Sequence, residues 1–273
     1  MKEFTVESPS NLKTFTDNTY PQGSFYFNAL LKKKDIRVNG VKVDKNVSLQ
    51  KGDTVAYYTT PLQEAKPAFY PVFEDENILV VDKESGVNAE ALFFTLSTNK
   101  ECYFIHRLDR NTQGLMIFAK NKISEAELLQ AFKDRSIDKI YHAVCIGQFK
   151  KEKGILEAYL KKDAHSSTVQ VSQNPKDGIK IITEYRLLKR EKGLNYLEVI
   201  LHTGKTHQIR AHLAHVGCPI LGDTKYGDAT ANRQYNRTRQ CLVAKRLVLH
   251  TSGVLAYLNG REFLSNFNCK AGE

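Results

Sequence analysis

The chain has 273 residues, 41% of them hydrophobic, and carries forty Lys and Arg against thirty Asp and Glu, for a formal charge of +10. That length buries a sizeable core and suggests one large domain plus a smaller one, while no apolar stretch approaches the roughly 18 residues of a membrane helix and Met1–Ser8 holds no apolar signal core. Five scattered cysteines (Cys102, Cys145, Cys218, Cys241, Cys269) without a Cys-x-x-Cys pair fit reduced thiols in the cytoplasm, and the basic balance suits a polyanionic partner such as nucleic acid.

In chain order, Asn11 to Thr19 marks a weak first helix and Ser24 to Lys34 a second, with Phe25, Leu30 and Leu31 apolar and Lys32-Lys33-Lys34 at its end. Asn39-Gly40 between Ile36–Val38 and Val41–Val43 predicts a hairpin. From Lys32 to Lys51 there are seven Lys and Arg and two Asp. Half of the net charge therefore lies on one helix end and its hairpin, a plausible phosphate-facing surface. Residues 61–72 hold Pro61, Pro67 and Pro71 and predict an extended linker. The expected domains are thus 1–60, a small module, and 73–273, the larger unit.

In the larger unit Asn77 to Lys83 predicts a buried strand, and Val87 to Lys100 is poorly marked. His106 to Gln113 is a dense polar cluster, followed by Gly114 and the apolar run Leu115 to Ala119. Reactive chemistry is commonly presented on such a loop entering a core strand. Asp109 is its only carboxylate, between Arg107 and Arg110. Ser124-x-x-Glu127 reads as a capping box for a helix to about Arg135, and Lys139 to Ile146 as an interior strand apolar on both faces. Ala164 to Lys180 is polar, with Asn174 to Gly178 a turn, and Ile179 to Leu188 and Tyr196 to Leu201 are further strands. Strands linked by turns point to an α+β fold with a mixed, largely antiparallel sheet.

After His202, Thr206 can cap a helix on which Ile209, Leu213 and Val216 recur at helical spacing, with Gly217 as its stop. Eight Lys and Arg against two Asp fall between Lys205 and Arg246, with Tyr226 and Tyr235 interleaved. Aromatics among cations suit unpaired bases that stack while phosphates are neutralised. His207, His212 and His215 lack the accompanying motif of a zinc site, so no metal is expected.

Three blocks resemble the RluA-type RNA pseudouridine synthases: His106 to Leu115, Lys139 to Val144, and Thr203 to Leu213 with Gly217 to Asp223 and Tyr226-Gly227. Leu30 to Lys33, Ile36 to Gly40 and Gly52 to Val55 resemble the small RNA-binding domain named after ribosomal protein S-four. Gln113 stands where the family usually has serine, Lys205 where it has arginine, and Glu84 where proline usually follows Lys83. The resemblance implies the pseudouridine synthase fold, an isomerase needing no cofactor, and Asp109, Tyr141 and Arg210 as catalytic residues. Arg210 pairs with the catalytic aspartate in that family, and a neighbouring cation favours a carboxylate's charged form. Arg107, Lys32, Lys33, Lys34, Arg37, Lys205 and His207 are expected to bind RNA, ribosomal first and transfer RNA second, in a monomer. The alternative is a non-catalytic RNA-binding or ribosome-assembly protein, which would not need Asp109.

Overall fold

The computed structural model describes residues 1–98, 100–163 and 168–269; residues 164–167 of the polar stretch lie outside them. The N-terminal module is built on two helices, Leu12–Thr19 and Pro21–Lys33. Asn11 caps the first by accepting from Thr14 N, and Pro21 starts the second, where its missing N–H costs nothing. Both helices cover a four-stranded sheet ordered Lys2–Thr5, Thr54–Tyr57, Ile36–Val38, Val41–Val43. Asn39 and Gly40 both have positive φ, 51° and 78°, which is what a tight two-residue hairpin requires. Leu12, Phe27, Leu30, Ile36, Val55 and Tyr57 form the core beneath.

An eleven-stranded sheet dominates the rest. From one edge its main path runs Val169–Ser172, Lys153–Lys162, Ile179–Glu191, Leu194–Leu201, Ile137–Cys145, Leu242–Leu249, Gln113–Ala119, Ile78–Lys83 and Phe69–Glu74. Its pairs among the described residues are antiparallel except Gln113–Ala119 with Leu242–Leu249, which is parallel. The fold is therefore α+β with a mixed, mostly antiparallel sheet, as the sequence predicts.

Two central strands carry unbroken apolar runs, Ile78–Val81 and Leu115–Ala119, because both faces are covered. Leu79, Val81, Met116 and Phe118 point into one core with Leu92 and Leu96 of helix Ala89–Ser97 and Ile209 and Leu213 of helix Gln208–His215. Ile78, Val80, Leu115 and Ile117 point into the other, with Leu128 and Ala131 of helix Lys122–Asp134. Alternation along a strand thus divides one apolar run between two cores.

Three expectations are corrected. Residues 61–72 are not extended throughout: Thr60 caps a helical turn, Pro61–Glu64, and Phe69–Glu74 is an edge strand of the large sheet. Pro71 is tolerated because it lies at that edge, beside a register shift. The cap of helix Lys122–Asp134 is Asn121, whose side chain accepts from Ser124 N. Glu127 instead accepts from Val254 N at 2.8 Å and Leu255 N at 3.0 Å. Thr206 does not cap the helix Gln208–His215. His207 occupies that position with φ 55° and makes no side-chain cap bond.

Candidate active site

Asp109 lies on the turn between the short strand Tyr103–Phe104 and Gln113–Ala119. Buried Leu108 and Thr112 hold the turn from either side. Thr112 N donates to Asp109 O at 3.0 Å, and Thr112 Oγ1 accepts from Gln240 Nε2 at 3.0 Å. At Gly114, φ +114°, a Cβ would sit 2.3 Å from Ala244 O. Only glycine lets this strand meet Leu242–Leu249 so closely directly after the turn.

The Asp109 carboxylate accepts from Arg210 Nη1 at 3.0 Å. Arg210 comes from the helix Gln208–His215, whose residues 208–213 are all buried. Its Nε and Nη2 make a fork onto Asp223, at 2.7 and 3.0 Å. Asp223 also accepts from Lys225 N at 2.8 Å and Tyr226 N at 3.1 Å. Burial disfavours the Arg210 charge, but the two carboxylates outweigh it and raise its pKa. Burial likewise opposes the Asp223 carboxylate, and Arg210 holds it below the ordinary range. Fixing the Nε–Nη2 edge on Asp223 leaves Nη1 aimed at Asp109, a placement that lysine's point charge could not copy.

His207 Nδ1 lies 2.9 Å from the Tyr226 hydroxyl, and its Nε2 lies 3.9 Å from Asp109 Oδ2. The same hydroxyl accepts from Val169 N at 2.7 Å, so its own proton is available to His207 Nδ1. In the tautomer that accepts the phenol proton at Nδ1, the imidazole carries its own proton on Nε2, facing Asp109. Burial lowers the His207 pKa against the pull of Asp109, favouring the neutral ring. The Tyr226 ring lies 5.2 Å from the Arg210 guanidinium carbon.

Tyr141 is buried in the central strand Ile137–Cys145, at a register shift between Ile140 and Tyr141. Burial first and the Asp109 charge second push its phenol well above its ordinary pKa. Asp109, Tyr141, His207 and Arg210 line one cavity of about 550 Å³, together with Arg107, Lys133, Arg135, Lys139 and Lys205. The cavity is thus basic around its single carboxylate. Arg107 is 60% exposed and pairs with Glu90 at 2.7 Å. Lys32, Lys33, Lys34 and Arg37 do not line this cavity. The three lysines are exposed at the helix end, and Arg37 lies 4.8 Å from the Tyr58 ring centroid.

Several residues of the site carry no sequence-level assignment. Asp223 is one of only two acids in the basic stretch after Lys205, a signal that could have found it. Gln208 joins Thr203 Oγ1 (2.8 Å), Lys205 N (3.1 Å), Ile182 O (3.1 Å) and Thr183 Oγ1 (3.0 Å), fixing the turn before the helix. His106 accepts from Ile117 N at 3.1 Å and stacks on Phe132, and burial drives its pKa to about 3. Lys83, fully buried, donates to the carbonyls of Glu84 (3.0 Å), Val87 (2.8 Å) and Arg110 (3.2 Å). No group of three His, Cys, Asp or Glu able to hold a metal occurs among the described residues. His212 hydrogen-bonds Thr183 Oγ1 at 2.9 Å, apart from the other two histidines' partners.

Comparison with solved structures gives the class first. The fold is that of a pseudouridine synthase domain: human RNA pseudouridylate synthase domain containing 1 aligns at TM-score 0.58 and 23% identity, over 67% of this chain and 79% of its own. Human domain containing 4 aligns at TM-score 0.60 and 19% identity, over 72% and 88%. A family model described as RNA pseudouridylate synthase matches residues 65–215. Ribosomal large subunit pseudouridine synthase C of Rickettsia bellii is 32% identical over 82% of this chain and 85% of its own length. An uncharacterized RNA pseudouridine synthase of Aquifex aeolicus is 33% identical over 82% and 79%. This chain belongs to the RNA pseudouridylate synthase family, whose enzymes are isomerases.

Proposed function

We propose that the protein isomerises uridine to pseudouridine in the RNA of the large ribosomal subunit, in the cytoplasm and as a monomer, with Asp109 as nucleophile. The observation that carries this reading is the Asp109 carboxylate, 3.0 Å from a buried guanidinium and lining the same cavity as Tyr141. The names of the Rickettsia bellii relative and of the Vibrio cholerae relative, 28% identical over 82% of this chain, support the ribosomal substrate.

The reaction breaks N1–C1′, turns the uracil and joins C5 to C1′; C5 loses a proton and N1 gains one. Nothing is oxidised or reduced. A carboxylate beside C1′ or C6 begins it, by attack at either atom, and Arg210 keeps Asp109 charged and aimed. The reacting atoms are inaccessible in a stacked helix, so the uridine must be turned out. Arg107, exposed at the cavity, suits the vacated position. The Tyr141 ring offers a stacking face, and its hydroxyl, a phenol at neutral pH, a hydrogen bond to the uracil during proton handling at C5. His207 and Lys205 add contacts to the target strand. Residues 1–60 act as a separate RNA-binding module that presents Lys32, Lys33, Lys34 and Arg37 to phosphates.

The test uses 5-tritiated transcripts of large-subunit ribosomal RNA and of transfer RNA. Wild type releases tritium from the ribosomal transcript, and Asp109→Asn releases none. Release only from transfer RNA would overturn the substrate, and undiminished release by Asp109→Asn would overturn the nucleophile.

A further inference from the structure

A second, smaller cleft of about 280 Å³ opens where the N-terminal module meets the large sheet, lined by Phe25, Lys66, Ser85, Arg110, Asn111 and Arg239 among others. Three cations converge on it. Arg110 is paired with Asp17 at 2.7 Å. The charged ends of Lys66 and Arg239 make no ion pair or hydrogen bond among the described residues. Lys66 Nζ rests 3.6 Å from the Phe25 ring centroid, which holds an ammonium in place without cancelling its charge.

Burial and the Arg239 charge lower the Lys66 pKa, with Glu84 acting in the opposite sense. The Glu84 carboxylate, the nearby acid, already accepts from Ser85 N at 2.9 Å and Gln113 Nε2 at 3.3 Å. Lys66 and Arg239 repel each other, and Glu84 acts on Lys66 without pairing with it, so an anion seated between the two cations would complete the arrangement. Neutral donors stand beside them. Ser85 Oγ bonds Asn111 O at 3.2 Å, while the Asn111 side-chain amide has no partner among the described residues.

On the reading that the substrate is RNA, we infer that this junction cleft binds a backbone phosphate of the substrate, outside the reacting nucleotide, through Lys66, Arg239 and the Asn111 amide. Asn111 lies two residues after Asp109, at most about 7 Å between Cα atoms. The strand that enters the cavity therefore passes within reach of the cleft, which favours a substrate phosphodiester over free phosphate.

The experiment measures binding of an unmodified bacterial large-subunit RNA transcript by anisotropy across a potassium chloride series, with tritium release run in parallel. The double variant Lys66→Gln/Arg239→Gln is expected to reduce the slope of log affinity against log salt by about 0.7–0.9, the share of one phosphate contact, and Lys66→Gln and Arg239→Gln alone each by a part of that. Lys66→Arg keeps the charge and is expected to keep the slope, and unchanged melting separates lost contacts from lost folding. Unchanged slopes in both glutamine variants overturn the inference. So does protection of the cleft variants' parent by inorganic phosphate without any effect of the substitutions on RNA binding. A wild type that binds the transcript but releases no tritium sinks the catalytic reading alone, because the slopes still judge the cleft. A wild type that does not bind it sinks both.

Discussion

Arg110 Nη1 lies 2.7 Å from Asp17 Oδ2, so the residue that follows Asp109 is fastened to the first helix of the N-terminal module. The same guanidinium donates through Nε to Gly86 O at 3.1 Å and through Nη2 to Ser24 O at 3.2 Å. The other Asp17 oxygen accepts from Ser24 Oγ at 2.6 Å and pairs with Lys13. Arg110 thereby ties the module to the turn that carries Asp109. Asp17→Ala is expected to cost about 1–2 kcal/mol of stability, to speed amide exchange over residues 107–112, and to slow tritium release at saturating RNA about tenfold, which is about 1.4 kcal/mol in the barrier. Combining it with Arg110→Ala should add little beyond the worse single change, since both remove one link. Strictly additive losses would show that the two residues act independently.

Glu84 and Gln113 touch each other: Gln113 Nε2 donates to Glu84 Oε2 at 3.3 Å. The Glu84 backbone N donates to Ala68 O at 2.9 Å, a bond that a proline at this position could not make. Both side chains are partly exposed, so a double-mutant cycle with Glu84→Ala and Gln113→Ala should give a coupling of about 0.5–1 kcal/mol in urea melts. Zero coupling would mean that the 3.3 Å contact contributes nothing to stability.

How much of this was legible follows from the physics of each part. The strands Ile78–Lys83 and Gln113–Ala119 are readable because burial on both faces leaves an unbroken apolar run. Helix Ala89–Ser97 is not, because Phe93 and Phe94 join Leu92 and Leu96 to make it apolar nearly all round, which erases the helical period. The cap at His207 is invisible because it rests on a positive φ and not on a capping side chain. At the site, the resemblance pointed to Asp109, Tyr141 and Arg210, and the structure brings all three into one cavity. Asp223 and Lys83 went unassigned because their work is to hold other groups. The link from Arg110 to Asp17 spans 93 positions and depends on how two units dock, which no local pattern encodes.

Lys83 gives a pH prediction. Burial, opposed by the charges of Asp109 and Glu84, lowers its pKa from 10.5 to about 7 in the folded chain. Between those two values the unfolded chain holds a proton that the folded one has released, so stability rises with pH across that window. Below pH about 7 both states are protonated and the burial penalty is fully present. The melting temperature of wild type relative to Lys83→Met is therefore expected to climb from pH 7 toward 10. Lys83→Met also leaves the carbonyls of Glu84, Val87 and Arg110 without their donor, which costs the variant about 1–3 kcal/mol on top of the pH-dependent part. A flat difference across that pH range would place the Lys83 pKa near its ordinary value.

Asp223 and Asp109 share one guanidinium but have separable roles. Asp223 is 1% and Arg210 5% exposed, so removing one partner strands a buried charge, at a cost of about 3–5 kcal/mol. In Asp223→Asn the amide nitrogen and the Arg210 donors compete, the fork opens, and Nη1 loses its aim at Asp109. Both melting temperature and tritium release should fall, release by about a hundredfold or more. Asp109→Asn leaves the fork on Asp223 intact and should abolish release while moving the melting temperature far less. Arg210→Lys should fall between, keeping a charge but losing the two-edged geometry. The acid limb gives an independent check. The Asp223 pKa is held below its ordinary 3.8, so its contribution is fully present above that value and is lost as pH falls through the depressed one. Asp223→Asn should therefore melt with a shallower dependence on pH below about 4, whereas a parallel pair of curves would deny the ion pair its place in holding the site.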